Sequence, residues 1–210
     1  MTLPVLRVIA GLVAPPLCAA CAGPCGAAEP ICRVCAARLA RAPAGGAMVG
    51  GVGRVVWAAP YEGVARDLVA ALKFRSRVGL AAVLAATLAD ARGPAPEAPC
   101  QIVAVPAAPG RLRRRGFDAA ELIATALARR LGVPRSRCLR RADGPRQVGR
   151  SRESRRASPP RIRAAGPSPR HAVLVDDVFT TGATLRACAA ALRRAGTVEV
   201  EAAVFARAFG

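Results

Sequence analysis

Three short stretches of the chain are apolar throughout: Val55-Val56-Trp57-Ala58, Ile102-Val103-Ala104-Val105 and Ala172 to Val175. Each reads as a buried strand, and a final strand is predicted over Val198 to Phe205. Between them, apolar residues return at helical spacing. Val64, Leu68, Ala71 and Leu72 place a helix over Tyr61 to Phe74, and a second runs from about Val78 to Ala91, ended by Gly93-Pro94-Ala95-Pro96. Further helices are predicted from Asp118, as an N-cap, to Leu131, and from Ala183 to Ala195. Strands without alternation, separated by helices, imply an α/β fold with a parallel sheet covered on both faces. Gly45, Gly46, Gly50, Gly51 and Gly53 read as a linker or hinge, Arg111 to Phe117 as a basic loop, and residues 135–170 as a mobile loop. At the N-terminus, Leu6, Ile9, Leu12 and Val13 share one face of a short amphipathic helix that stops at Pro15.

A length of 210 residues suits one α/β domain plus a small module, divided as 1–45 and 46–210. Charge adds a class of partner. With 32 basic and 13 acidic residues, the net charge of +19 favours polyanions: nucleic acid, phosphorylated small molecules or anionic membrane. Lys73 is the only lysine. No stretch reaches the roughly 18–20 apolar residues of a membrane span. The N-terminal run resembles a signal peptide in having one Arg and an apolar core, but Pro4, Pro15 and Pro16 flank or interrupt it and cysteine pairs follow at once. The chain reads as cytoplasmic.

Eight cysteines are unevenly spread. Cys18 and Cys21 form one CxxC and Cys32 and Cys35 another, a spacing that lets four thiolates reach one tetrahedral Zn²⁺ in a closed, structural site. Cys25 leaves a choice open, as a substitute for Cys21 or a spare thiol, and a disulfide staple or redox CxxC is the competing reading. Cys100, Cys138 and Cys188 read as small buried hydrophobes.

In a parallel α/β sheet, ligands bind beyond the carboxyl ends of the strands. Asp176 and Asp177 stand where the strand ending at Val175 is expected to leave its sheet. Thr180-Thr181-Gly182-Ala183-Thr184 then turns into a helix. Glycine there permits positive φ, the helix N-terminus brings unpaired N–H groups, and three threonines add hydroxyl donors: a phosphate cradle. It lacks the Lys and the spacing of an NTPase P-loop. Ionised carboxylates only accept hydrogen bonds, so a vicinal diol is their natural partner. A ribose 5-phosphate satisfies both features, and the nine-residue string is more specific than a capping acidic pair before an ordinary helix. His171 lies at the opposite end of its strand and is rejected as a base.

The stretch VLVDDVFTTGATL resembles the motif with which type I phosphoribosyltransferases bind 5-phosphoribosyl pyrophosphate (PRPP). PPLCAAC, ICRVC, YEGVARDLVAALKFR, VPAAPGRLRRRGFDAAELIA and RQVGRSRESRR resemble, in order, segments of the ComF family. The resemblance implies a type I phosphoribosyltransferase-like domain behind a zinc module. It implies PRPP with Mg²⁺, the ribose hydroxyls on Asp176 and Asp177, and the 5-phosphate on Thr180, Thr181, Gly182, Ala183 and Thr184. The pyrophosphate would fall to Lys73, Arg113, Arg114 and Arg115, with Gln147 and Arg155 on a closing loop. It further implies displacement of pyrophosphate by a nitrogenous acceptor, and a role in DNA uptake during natural competence beside single-stranded DNA and a ComFA-like helicase. The alternative is an accessory factor that binds PRPP or single-stranded DNA without turnover. The chain departs from the family where Asp118, Ala119 and Ala120 replace its Asn-Gln-Ala, at Ser158, and in lacking a third CxxC. Base-stacking platforms are scarce, and Trp57, Tyr61 and Phe74 read as core.

Overall fold

The computed structural model describes residues 16–26, 29–94, 99–142 and 160–209. The amphipathic segment with Leu6, Ile9, Leu12 and Val13 lies outside the described residues, as do Gln147, Arg155 and Ser158. A short helix α1 (Arg33–Ala40) precedes strands β1 (Gly45–Val49) and β2 (Gly53–Pro60). Then come α2 (Gly63–Phe74), α3 (Leu80–Arg92), β3 (Gln101–Ala104), α4 (Pro109–Arg115) and α5 (Ala119–Leu131). Three short strands, β4 (Arg135–Ser136), β5 (Leu139–Arg141) and β6 (Ile162–Ala164), lead to β7 (His171–Phe179), α6 (Ala183–Arg194) and β8 (Glu199–Arg207).

The main sheet has the order β1-β2-β8-β7-β3-β4. Every neighbouring pair is parallel except β1 on β2. β5 and β6 form a separate antiparallel ribbon. One sheet face is buried under α2, α3 and α5, through Leu68, Leu72, Leu84, Leu88, Ile123 and Leu127. The opposite face is covered by α6 and the ribbon, through Leu185, Leu192, Leu139 and Ile162 against Val55, Leu174 and Val204. Each large side chain so enclosed contributes about 1.5–3 kcal/mol. No helix among the described residues is long and apolar enough to cross a membrane.

Several expectations are corrected. The glycines after α1 do not form a linker: Gly45 to Val49 are an antiparallel edge strand on β2. Gly45 lies opposite Trp57, and a Cβ there would sit 2.6–2.8 Å from three atoms of the indole, so the bulky ring takes the space a side chain would need. The basic stretch Arg111 to Arg115 is helical rather than a loop. Pro109 starts α4 with φ already set, arginine is a good helix former, and Gly116, at φ 78°, closes it through its N–H to Leu112 O. Within residues 135–170, read as one mobile loop, three strands form. Phe74, read as core, is 65% exposed. Lastly, β7 continues through the acidic pair to Phe179, because its parallel partner β8 runs on to Arg207.

Candidate functional site

The site is built at the carboxyl end of β7. Asp176 and Asp177 lie inside the strand, so alternation sends their side chains toward opposite faces of the sheet. Asp177 turns toward α2, where its Oδ1 lies 2.5 Å from Lys73 Nζ. Asp176 accepts a hydrogen bond from the Asp177 N–H at 2.8 Å. Burial first, then the neighbouring Asp177 charge, pushes the Asp176 carboxyl well above the usual carboxylate range, against the pull of that N–H and of Lys73.

Phe179 ends the strand and the next residues turn into α6. Gly182 is the N-cap of α6 at φ 75°, and a Cβ there would lie 2.8 Å from Phe179 Cε2. Both facts require glycine. Thr180 and Thr181 are exposed, and Thr181 Oγ1 accepts from the Ala183 N–H at 3.4 Å. No acidic residue occupies the first turn of α6, so the positive end of its dipole is unopposed there. Arg186, which the sequence reading passed over, reaches back to donate to Thr181 O at 2.7 Å. Its position one helical turn after Gly182 was the available signal.

Cations approach from two connections. Lys73 comes from the last turn of α2. Arg115 ends α4; its guanidinium carbon stands 5.0 Å from the centre of the Phe74 ring, and its buried Nε has no hydrogen-bond partner. Burial lowers the Arg115 pKa, while Asp177 opposes the shift. Arg113 and Arg114 are exposed on the same helix. Asp118, where the family resemblance expects Asn, ties this connection together: it accepts from the N–H groups of Ala107 at 2.7 Å and Ala120 at 3.1 Å. Burial raises its carboxyl above the ordinary range despite those bonds.

A further arginine, Arg141 at the end of β5, is half-buried; desolvation and Arg111 lower its pKa, and Asp176 acts against them. Reading 135–170 as one loop hid it. A cavity of about 250 Å³ opens between these connections, lined by Pro106, Ala107, Leu112, Asp118, Ser136 and Arg141 among others. His171 is buried at the far end of β7, its Nδ1 3.4 Å from Glu199.

Away from this site, the sulfurs of Cys18, Cys21, Cys32 and Cys35 all lie within 4.8 Å of one another. Cys18 and Cys21 stand on a tight turn held by Cys18 N–H to Gly23 O and Ala22 N–H to Cys18 O. Cys32 is the N-cap of α1 and Cys35 lies in its first turn. A Zn–S bond of about 2.3 Å gives a tetrahedral S–S edge of about 3.8 Å. The Cys21–Cys32 separation is 3.7 Å, so the donor set fits a metal ion such as zinc. Burial raises the Cys18 thiol, yet the N–H groups of Cys21, Cys32 and Ala20 bring it down to about 6, while burial and the neighbouring sulfurs push the Cys35 thiol up, so the four share their protons unevenly when no metal is bound. Cys25 stands outside the cluster, its Sγ donating to Pro16 O and Glu29 O. Cys100, Cys138 and Cys188 are buried.

A search of curated proteins returned no match. Residues 118–208, which open on the Asp118 cap and take in the acidic pair, the turn and β8, match the family model described as the phosphoribosyl transferase domain.

Proposed function

We propose that the protein binds PRPP with Mg²⁺ and transfers its phosphoribosyl group to a nitrogenous acceptor, releasing pyrophosphate. One observation carries this reading. An acidic pair at the end of a parallel strand is followed directly by a turn with left-handed Gly182 at the N-terminus of α6. The 5-phosphate sits against Thr180 to Thr184, where unpaired N–H groups and the helix dipole neutralise it. The ribose straddles the carboxyl end of β7, one hydroxyl donating to Asp177 on the α2 side and the other to Asp176 on the opposite side. As the bond to the anomeric carbon breaks, positive character develops on the sugar and negative charge on the leaving pyrophosphate. The carboxylates stabilise the first, and Lys73, Arg113, Arg114 and Arg115 the second. Mg²⁺, when bound with the ligand, would spread the pyrophosphate charge, with Asp176 and Asp177 the carboxyl groups beside it.

In this reading residues 1–45 hold the structural zinc module and 46–210 the phosphoribosyltransferase-like domain of a cytoplasmic protein. The ComF resemblance links the reaction to DNA uptake, with single-stranded DNA and a ComFA-like helicase as partners. The charge of +19 favours a second reading, recognition of a polyanion without turnover. Calorimetric titration of the zinc-loaded protein with PRPP and Mg²⁺ tests the site. Binding is expected for the native chain and not for the Asp176→Ala/Asp177→Ala variant; an equal heat from both would refute it. Pyrophosphate release with a panel of nucleobases then separates catalysis from recognition.

A further inference from the structure

The ion pair at the centre of the site stands in the way of the ligand proposed for it. Lys73 Nζ is 2.5 Å from Asp177 Oδ1, and the two side chains are only 15% and 12% exposed. An ammonium donating to a carboxylate joins two opposite charges, whereas a sugar hydroxyl donating to the same oxygen has charge on the acceptor side only, so the ammonium holds it more strongly. A sugar monophosphate therefore meets an Asp177 already engaged, and brings no anion to the place where Lys73 would go. A sugar pyrophosphate does bring one. The cations around Asp177 are arranged to receive it: Arg115, with a buried Nε lacking a partner, is held over Phe74, the residue that follows Lys73. The Phe74 ring is itself exposed, and Lys73 lies in the last turn of α2, so its side chain needs only rotamer changes to leave the carboxylate.

Resting on the phosphoribosyl reading above, we propose that Lys73 is a latch on Asp177 that makes the site select a pyrophosphorylated sugar phosphate over the plain monophosphate. Transfer of Lys73 from Asp177 to the pyrophosphate exchanges one ionic partner for another and exposes the carboxylate to the hydroxyls. After pyrophosphate departs, the return of Lys73 to Asp177 displaces the monophosphorylated product. Lys73 thus works on the ligand twice, once as a counter-ion and once as a competitor.

The test is calorimetric titration of the native chain, Lys73→Met and Lys73→Gln with ribose 5-phosphate, and separately with PRPP and Mg²⁺. The two ligands should respond with opposite sign. Ribose 5-phosphate should bind the variants about tenfold more tightly, the size of one charge-assisted hydrogen bond, while PRPP binds more weakly. Loss of affinity for both ligands, or no change for ribose 5-phosphate, overturns the latch. A native chain that binds neither ligand overturns the phosphoribosyl reading itself. Should the variants fail to fold, the native chain still decides. Inorganic pyrophosphate with Mg²⁺ should strengthen ribose 5-phosphate binding by drawing Lys73 away, and the effect must be reciprocal. Simple competition between the two, or independence, would refute the proposal.

Discussion

Gly182 joins the fold to the site, and Gly182→Ala tests both at once. Two separate terms act on the new methyl group. The residue must keep φ near 75°, a left-handed conformation that costs a non-glycine about 1–2 kcal/mol. The Cβ also arrives 2.8 Å from Phe179 Cε2, a ring packed on the sheet face covered by α6 and only 7% exposed, so overpacking adds about 1–3 kcal/mol. The sum is about 2–5 kcal/mol, and for a chain of this size it should lower Tm by roughly 4–20 °C in thermal unfolding followed by circular dichroism. The two terms separate in a double-mutant cycle. In a Phe179→Leu background the clash is relieved, and Gly182→Ala should cost only the backbone part, leaving a coupling of at least about 1 kcal/mol. Calorimetry on the folded single variant should show weakened binding of ribose 5-phosphate, since the turn that presents the N–H groups has shifted. A Tm within about 2 °C of the native value would refute the steric argument. Additive effects in the cycle would show that Phe179 is not the obstacle.

Asp176→Asn should stabilise the protein while abolishing PRPP binding. The carboxyl sits above its ordinary range when folded and near about 3.9 when unfolded, so the folded chain holds the extra proton and stability falls as pH rises from about 4 through the folded value. Asparagine keeps the acceptor for the Asp177 N–H, and its Tm advantage at pH 7 should shrink toward zero below about pH 4; an advantage independent of pH would contradict the assignment. Cys25→Ser should retain one zinc per chain by metal analysis, whereas Cys18→Ser should lose it and, like treatment with a strong chelator, lower Tm; equal zinc loss in both serine variants would place Cys25 among the ligands. Asp118→Ala strips the acceptor from two backbone N–H groups and should cost about 1–2 kcal/mol in denaturant unfolding, with Asp118→Asn in between. An unchanged midpoint for Asp118→Ala would show that the cap and the α4–α5 connection hold without it.

Local chemistry made much of this protein legible. A parallel sheet followed from apolar runs that do not alternate, because strands buried on both faces have no polar side. The helix after Asp118, the glycine turn at Gly182 and the four-cysteine cluster followed from signals within a few residues of one another, where spacing alone sets geometry. Sequence could not show what depends on a distant neighbour. Nothing near Gly45 marks it as strand; its pairing is set by Trp57 lying across it. Strand β7 extends through two aspartates because β8, read from the far end of the chain, runs alongside to Arg207. Arg207 in turn stands 4.3 Å from the Trp57 ring and 4.7 Å from that of Phe209, a stack that only sheet order assembles. The same holds within the site. Sequence named Lys73 and Asp177 separately, as a pyrophosphate cation and a ribose acceptor. Their 2.5 Å ion pair joins residues 104 positions apart, and folding brought them together because α2 ends beside the carboxyl end of β7. Residue types and short spacings therefore determined which chemistry the chain carries. Tertiary structure decided which of those groups oppose one another, since charges and bulky rings act through space and not along the chain.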